Sequence, residues 1–163
     1  MTWYPVNRKL VLSSGLAISL LRKNLLAVIC GIISGVFASM SSVLAMSVLF
    51  SLSHEDFVTL LPKSITTAIG MGVSEELGGI QTITVAVIIV TGVLGNVIGE
   101  GVCKLFRITE PISRGLALGT AAHAIGTAKA LEMGEIEGAM SSLSIAVAGL
   151  LTVVFASFYA MVY

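Results

Sequence analysis

The chain has 163 residues, 56% of them hydrophobic and 11% charged, and its nine basic and nine acidic side chains cancel. A soluble domain carries roughly 25% charged residues, and mean hydropathy here is +1.02, so a water-soluble globular protein is excluded. A net charge of zero gives no reason to expect nucleic acid as a partner; the partner that composition demands is the lipid bilayer.

The chain opens with Trp3, Tyr4 and Pro5, residues suited to a membrane interface, followed by a segment, Leu10–Leu21, of only 12 residues. That is too short to cross. Arg22 and Lys23 come next, but the apolar run after them exceeds the roughly 7–15 residues of a signal-peptide core, so no cleavable signal is expected. No charge interrupts the sequence between Asn24 and Ser53, and Leu25–Phe50 is almost wholly apolar or small over 26 residues. A helix of ~20 apolar residues spans the ~30 Å hydrocarbon core. Ile80–Gly99 and Ala139–Tyr163 have the same character. Cys30 and Cys103 belong to no Cys-x-x-Cys or Cys/His pair, so both read as packing residues, and neither metal nor cofactor is expected.

Between the long spans lie two short segments, Asp56–Leu77 and Ile112–Leu131. Each short segment and the span after it repeat at an offset of 56: Ala68-Ile69-Gly70 falls on Ala124-Ile125-Gly126, Glu76 on Glu132, Gly78 on Gly134, Ile80 on Ile136. The units run over about residues 56–106 and 112–162. Basic residues flank the spans on one side (Arg22 and Lys23; Lys104, Arg107 and Arg114), whereas the loop between the first two spans holds His54, Glu55, Asp56, Glu75 and Glu76 with Lys63 as its single Lys or Arg. The positive-inside rule makes the basic clusters cytoplasmic. The first short segment then enters and leaves from outside and the second from inside, an inverted repeat of the kind that places a site between Gly-interrupted short segments. The expected fold is all-α and polytopic, long transmembrane helices alternating with short re-entrant or broken ones.

In the first short segment, Pro62 is expected to start a half-helix whose free N–H groups favour an anion. Lys63, Ser64, Thr66 and Thr67 would hold a small carboxylate. Their bland alternative is a snorkelling lysine and hydroxyls bonded back to helix carbonyls. In the second, Gly115, Gly119, Ala122 and Gly126 form a small face for close helix packing. Thr120, His123 and Thr127 fall at i, i+3 and i+7, a polar stripe whose imidazole would bind substrate or carry a proton; a satisfied core histidine is the competing reading. Asn96 needs an amide partner inside its span, through packing or substrate. Glu100 reaches headgroups or Lys104, and Glu132, Glu135 and Glu137 read as solvated. Ser39, Ser41 and Ser42 read as small-residue packing. No catalytic triad spacing, phosphate loop or metal cluster is present, so an enzyme is not expected.

The run from Leu61 to Thr67, Gly78-Gly79-Ile80, the run from Arg114 to Ala128 around His123, Glu137 to Leu143, and Ala148 to Thr152 together resemble the LrgB/CidB family of holin- and antiholin-like membrane proteins. The similarity runs from about Leu16 to the C-terminus. It implies one transmembrane domain over 1–163 in the bacterial cytoplasmic membrane. An LrgA/CidA-type partner, homo-oligomerisation, control of murein hydrolases and autolysis, and movement of pyruvate- or glycolate-like acids are further implications. It also implies additional N-terminal helices, which this chain is expected to lack. The chain departs from the family pattern at Ala68 and at Gly99-Glu100, where prolines are usual; losing the first is expected to weaken the break in that segment.

Overall fold

In hydrocarbon every backbone N–H and C=O must be satisfied within the protein, and helices do this segment by segment. The computed structural model describes Ser19 and residues 22–163, and among these residues there are helices and no strands. Apart from Ser19, the expected Leu10–Leu21 segment, with Trp3, Tyr4 and Pro5, lies outside the described residues. The helices are α1 (Leu25–Phe50), α2 (His54–Leu60), α3 (Thr67–Glu76), α4 (Gln81–Leu105), α5 (Pro111–Met133) and α6 (Glu135–Val162). Three of them, α1, α4 and α6, are long and apolar enough to cross a membrane. Val28, Ile32, Val36, Met40, Val43 and Ser47 put one face of α1 inside. Its remaining face shows Leu26, Ile29, Met46 and Phe50 to the surroundings.

The short elements double back. A reciprocal cap opens α2: Ser53 Oγ accepts from the Asp56 N–H (3.0 Å) while the Asp56 carboxylate accepts from the Ser53 N–H. The chain unwinds after Leu60 and becomes helical again at Thr67. Pro62 therefore does not begin a half-helix as expected. It lies in the turn past α2, where its missing N–H and ring oppose continuation. The break also forms without a proline at Ala68, because residues 61–66 supply it just upstream. A Cβ placed on Gly70 would lie 3.6 Å from the Pro62 carbonyl oxygen; eight residues along an uninterrupted helix would separate them by about 12 Å. The Thr84 hydroxyl reaches the Thr59 carbonyl (2.9 Å) and Ser74 Oγ (2.8 Å), and Thr59 Oγ1 accepts from the Ile80 N–H (2.8 Å). These bonds close the two arms of the first hairpin.

The second hairpin lies within α5. Its backbone leaves helical geometry at Ala122 (φ −129°, ψ 15°) and His123 (φ 42°, ψ −139°). A Cβ on Gly126 would lie 2.9 Å from the Leu118 carbonyl oxygen. Leu118 and Gly126 stand 56 residues after Pro62 and Gly70, so the two reversals match pair for pair. Both ends of α5 gather at the C-terminal end of α4: Arg114, Lys129 and Glu132 surround one cavity with Glu100 and Lys104. The first hairpin lies at the other end, where the Tyr163 hydroxyl reaches the Ser47 and Leu52 carbonyls and its ring meets Phe57. The hairpins thus approach from opposite ends of α4, and their tips point toward its middle.

Candidate functional site

Helix α1 runs beside the first arm of α5, with Gly31 facing Leu116 and Gly35 facing Thr120. The small residues along this seam leave a cleft of about 580 Å³, with Gly31, Ser34, Gly35 and Ala38 on one wall and Ser113, Ala117 and Thr120 on the other. Its inner end is formed by Ser39, Lys63 and Ser64. Lys63 Nζ donates to Ser39 Oγ and Ser64 Oγ, both at 3.2 Å, and Ser39 Oγ donates to Ser64 Oγ at 2.9 Å. Two hydroxyls satisfy two of an ammonium's three protons and neutralise none of its charge. A lysine at the centre of a membrane helix costs ~2.5–3.5 kcal/mol on insertion scales, which the two hydroxyls and the open cleft beside Lys63 reduce.

Ser64 and Thr120 stand 56 residues apart, so corresponding hydroxyls from the two hairpins meet here. Behind them lies a void of about 10 Å³, bordered also by Ser39, Met40, Leu61, Ile65 and Thr152. Of the residues expected to form a site, the structure thus brings together Lys63, Ser64 and Thr120. The sequence reading assigned Ser39 to packing and so missed it. The available signal was its place on the same face of α1 as Gly31, Gly35 and Ala38.

The other expected ligands are elsewhere. Thr66 and Thr67 stand at the start of α3, outside the cleft lining. Asn96 Nδ2 donates to the Ile125 carbonyl (2.9 Å), bracing the second arm of α5. The stripe of Thr120, His123 and Thr127 does not exist as one face, because the backbone reverses within it. Thr120 faces α1 and bonds back to the Leu116 carbonyl (2.8 Å). His123 turns to α4, where Nε2–H donates to the Ile88 carbonyl (2.8 Å). A Cβ on Gly92 would sit 2.8 Å from that nitrogen, so the absent side chain makes room for the imidazole. Thr127 donates to the His123 carbonyl (3.0 Å) and pairs with Ser141 Oγ (2.7 Å) on α6. Gly115 and Gly119 face Glu137, Ser141 and Ser144 of α6, while Ala122 and Gly126 pack against each other across the reversal. The small face is therefore occupied within the chain, so it is not open to another protein's helix.

At the opposite end of the second hairpin, Glu100 pairs with Lys104 (2.8 Å) and Lys129 (3.3 Å), and Lys129 also with Glu132 (3.1 Å). The first pair is the one expected for Glu100. Glu137, expected to be solvated, is buried instead and faces Arg114 at 3.9 Å.

Three helices long and apolar enough to cross a membrane, with two hairpins packed at opposite ends of α4, define an all-helical membrane protein. A model of the LrgB-like family matches residues 16–162, and the chain belongs to that family. It is 42% identical over 123 residues to a holin-like protein CidB of Staphylococcus epidermidis, a match covering 76% of this chain and 54% of the relative. The CidB of Staphylococcus aureus strain Mu50 is equally similar over the same share. An antiholin-like protein LrgB of Bacillus cereus is 39% identical over 134 residues, covering 82% of this chain and 58% of the relative. The chain thus spans little more than half the length of the curated relatives it matches. No solved structure matches it.

Proposed function

We propose that this LrgB-family protein moves, or regulates the passage of, a small monocarboxylate of the pyruvate or glycolate type across the bacterial cytoplasmic membrane, without chemistry on the solute. The observation carrying this reading is Lys63, a cation at the inner end of a cleft of about 580 Å³ whose neighbouring groups are hydroxyls. An ammonium with hydroxyl neighbours and no carboxylate partner among the described residues suits one carboxylate and one further polar substituent, the pattern of a 2-oxo or 2-hydroxy acid. The basic clusters put the Thr109 side in the cytoplasm. An LrgA/CidA-like membrane protein and further copies of this chain are the partners of this reading.

The test is uptake of labelled pyruvate and glycolate into vesicles, with and without the partner. Lys63→Met should lower uptake at least about tenfold, the loss of a charge-assisted contact worth ~1.5–3 kcal/mol. Unchanged uptake with correct insertion would reject the carrier role.

A second reading follows from the holin-like and antiholin-like names of the relatives: a regulator of murein hydrolase activity and autolysis that transports nothing and acts through its partner. Under it, Lys63→Met leaves the lysis phenotype intact. The contact would then use a surface other than the Gly115/Gly119 face.

A further inference from the structure

We infer that the cleft is a one-sided access route: water and small hydrated anions reach Lys63 from the face carrying Arg114, and passage onward to the Tyr163 face is shut at the ring of Ser39, Ser64 and Thr120. The inference rests on the carrier reading above and adds to it the side of entry and the place of closure.

Depth comes first. The α1 wall begins at Ala27 and ends at Ser39, which at 1.5 Å per residue is about 18 Å, more than half of a ~30 Å hydrocarbon core. The parallel wall of α5 begins at Ser113, beside Arg114 and the ion pairs of that face. A route that deep, walled mostly by glycine, alanine and serine, is kept open by the small size of its side chains and ends on a charge.

Volume then changes abruptly. Open space falls from about 580 Å³ in front of the three hydroxyl residues to about 10 Å³ behind them. The smaller figure is room for about one water. The walls of this void include Met40 (1% exposed), Leu61 (1%) and Ile65 (3%), all packed in the core. Ser64 and Thr120 come from the two hairpins, so the closure lies where the oppositely inserted tips meet. A small displacement of one tip against the other would open the void toward the Tyr163 face, and carriers built from inverted repeats expose one site to each side in turn.

Thiol accessibility tests this in the full chain with Cys30→Ser and Cys103→Ala as background. Ser34→Cys, with Ala117→Cys on the facing wall as an independent variant, should react with a charged thiosulfonate added on the Thr109 side. Each should react at least roughly tenfold faster than Thr152→Cys in the void, the margin that about 1.4 kcal/mol of local opening imposes. The modified proteins should lose uptake by a similar factor. Reaction of both wall cysteines only from the Ser53 side, no reaction at either, or Thr152→Cys reacting as fast as they do, each overturns the route. The two proposals separate cleanly. One-sided labelling with uptake indifferent to Lys63→Met keeps the route and removes the carrier; uptake lost in Lys63→Met without one-sided labelling does the reverse.

Discussion

Two residues, Lys63 and His123, carry most of the ionisable chemistry toward the middle of this chain, and their environments assign them different tasks. Lys63 ends in a cleft among hydroxyls; His123 is 3% exposed, and Nε2 is engaged by the Ile88 carbonyl of α4. Through that bond the histidine braces the reversal of α5, an arrangement that favours the satisfied-core alternative. It also occupies positive φ (42°) without being glycine, a conformation costing of order 1–3 kcal/mol. His123→Ala removes the brace and keeps the strain, whereas His123→Gly removes both. His123→Gly should therefore be more stable than His123→Ala by about 1 kcal/mol. Thermal unfolding of the two variants in detergent checks this, and equal midpoints would contradict it. Gly92→Ala should imitate the loss of the brace, since its methyl group would occupy the space of the imidazole.

Among the elements, the long helices were legible; a second reversal was expected, but its place at Ala122 and His123 was not. Uninterrupted apolar runs gave α1, α4 and α6 nearly to their ends. Pro62 marked the first turn, although it closes one helix rather than opening the next. The bend at Ala122 and His123 has neither proline nor glycine at its centre. The sequence across it keeps a helical spacing, so Thr120, His123 and Thr127 read as one stripe. What makes the bend possible is tertiary: Gly92 and Gly95 on α4 and Gly126 across the tip leave room for it. The same limit applies to Gly115 and Gly119, whose spacing announced close packing without naming the neighbour. That neighbour is α6, so Gly119→Ala should overpack against the Ser141 carbonyl oxygen, 2.5 Å from the added carbon. The expected cost is ~1–3 kcal/mol, read as a lower unfolding midpoint. Selective loss of partner association with the fold unchanged would be the contrary result.

For the molecule as a whole, an offset of 56 residues and the sign of flanking charges were enough to anticipate two opposed hairpins. The residues that meet at the tips were only partly anticipated, because helical periodicity says nothing about a side chain once the backbone reverses. Single cysteines at Ser53 and Thr109, in the Cys30→Ser, Cys103→Ala background, should be labelled by an impermeant reagent from opposite sides of sealed vesicles. Labelling of both from one side would show that α4 does not cross and that the hairpins share a face.

The seat of the second hairpin has a consequence for biogenesis. Gly115 and Gly119 rest on α6, which the ribosome makes after the hairpin itself. Until that helix arrives, the newly inserted loop stands in the bilayer without its main support, turning Gly115, Gly119 and the Thr127 hydroxyl toward lipid. Assembly of the hairpin then waits on α6, and a nascent chain stalled near Met133 would present a half-built loop to membrane quality-control proteases.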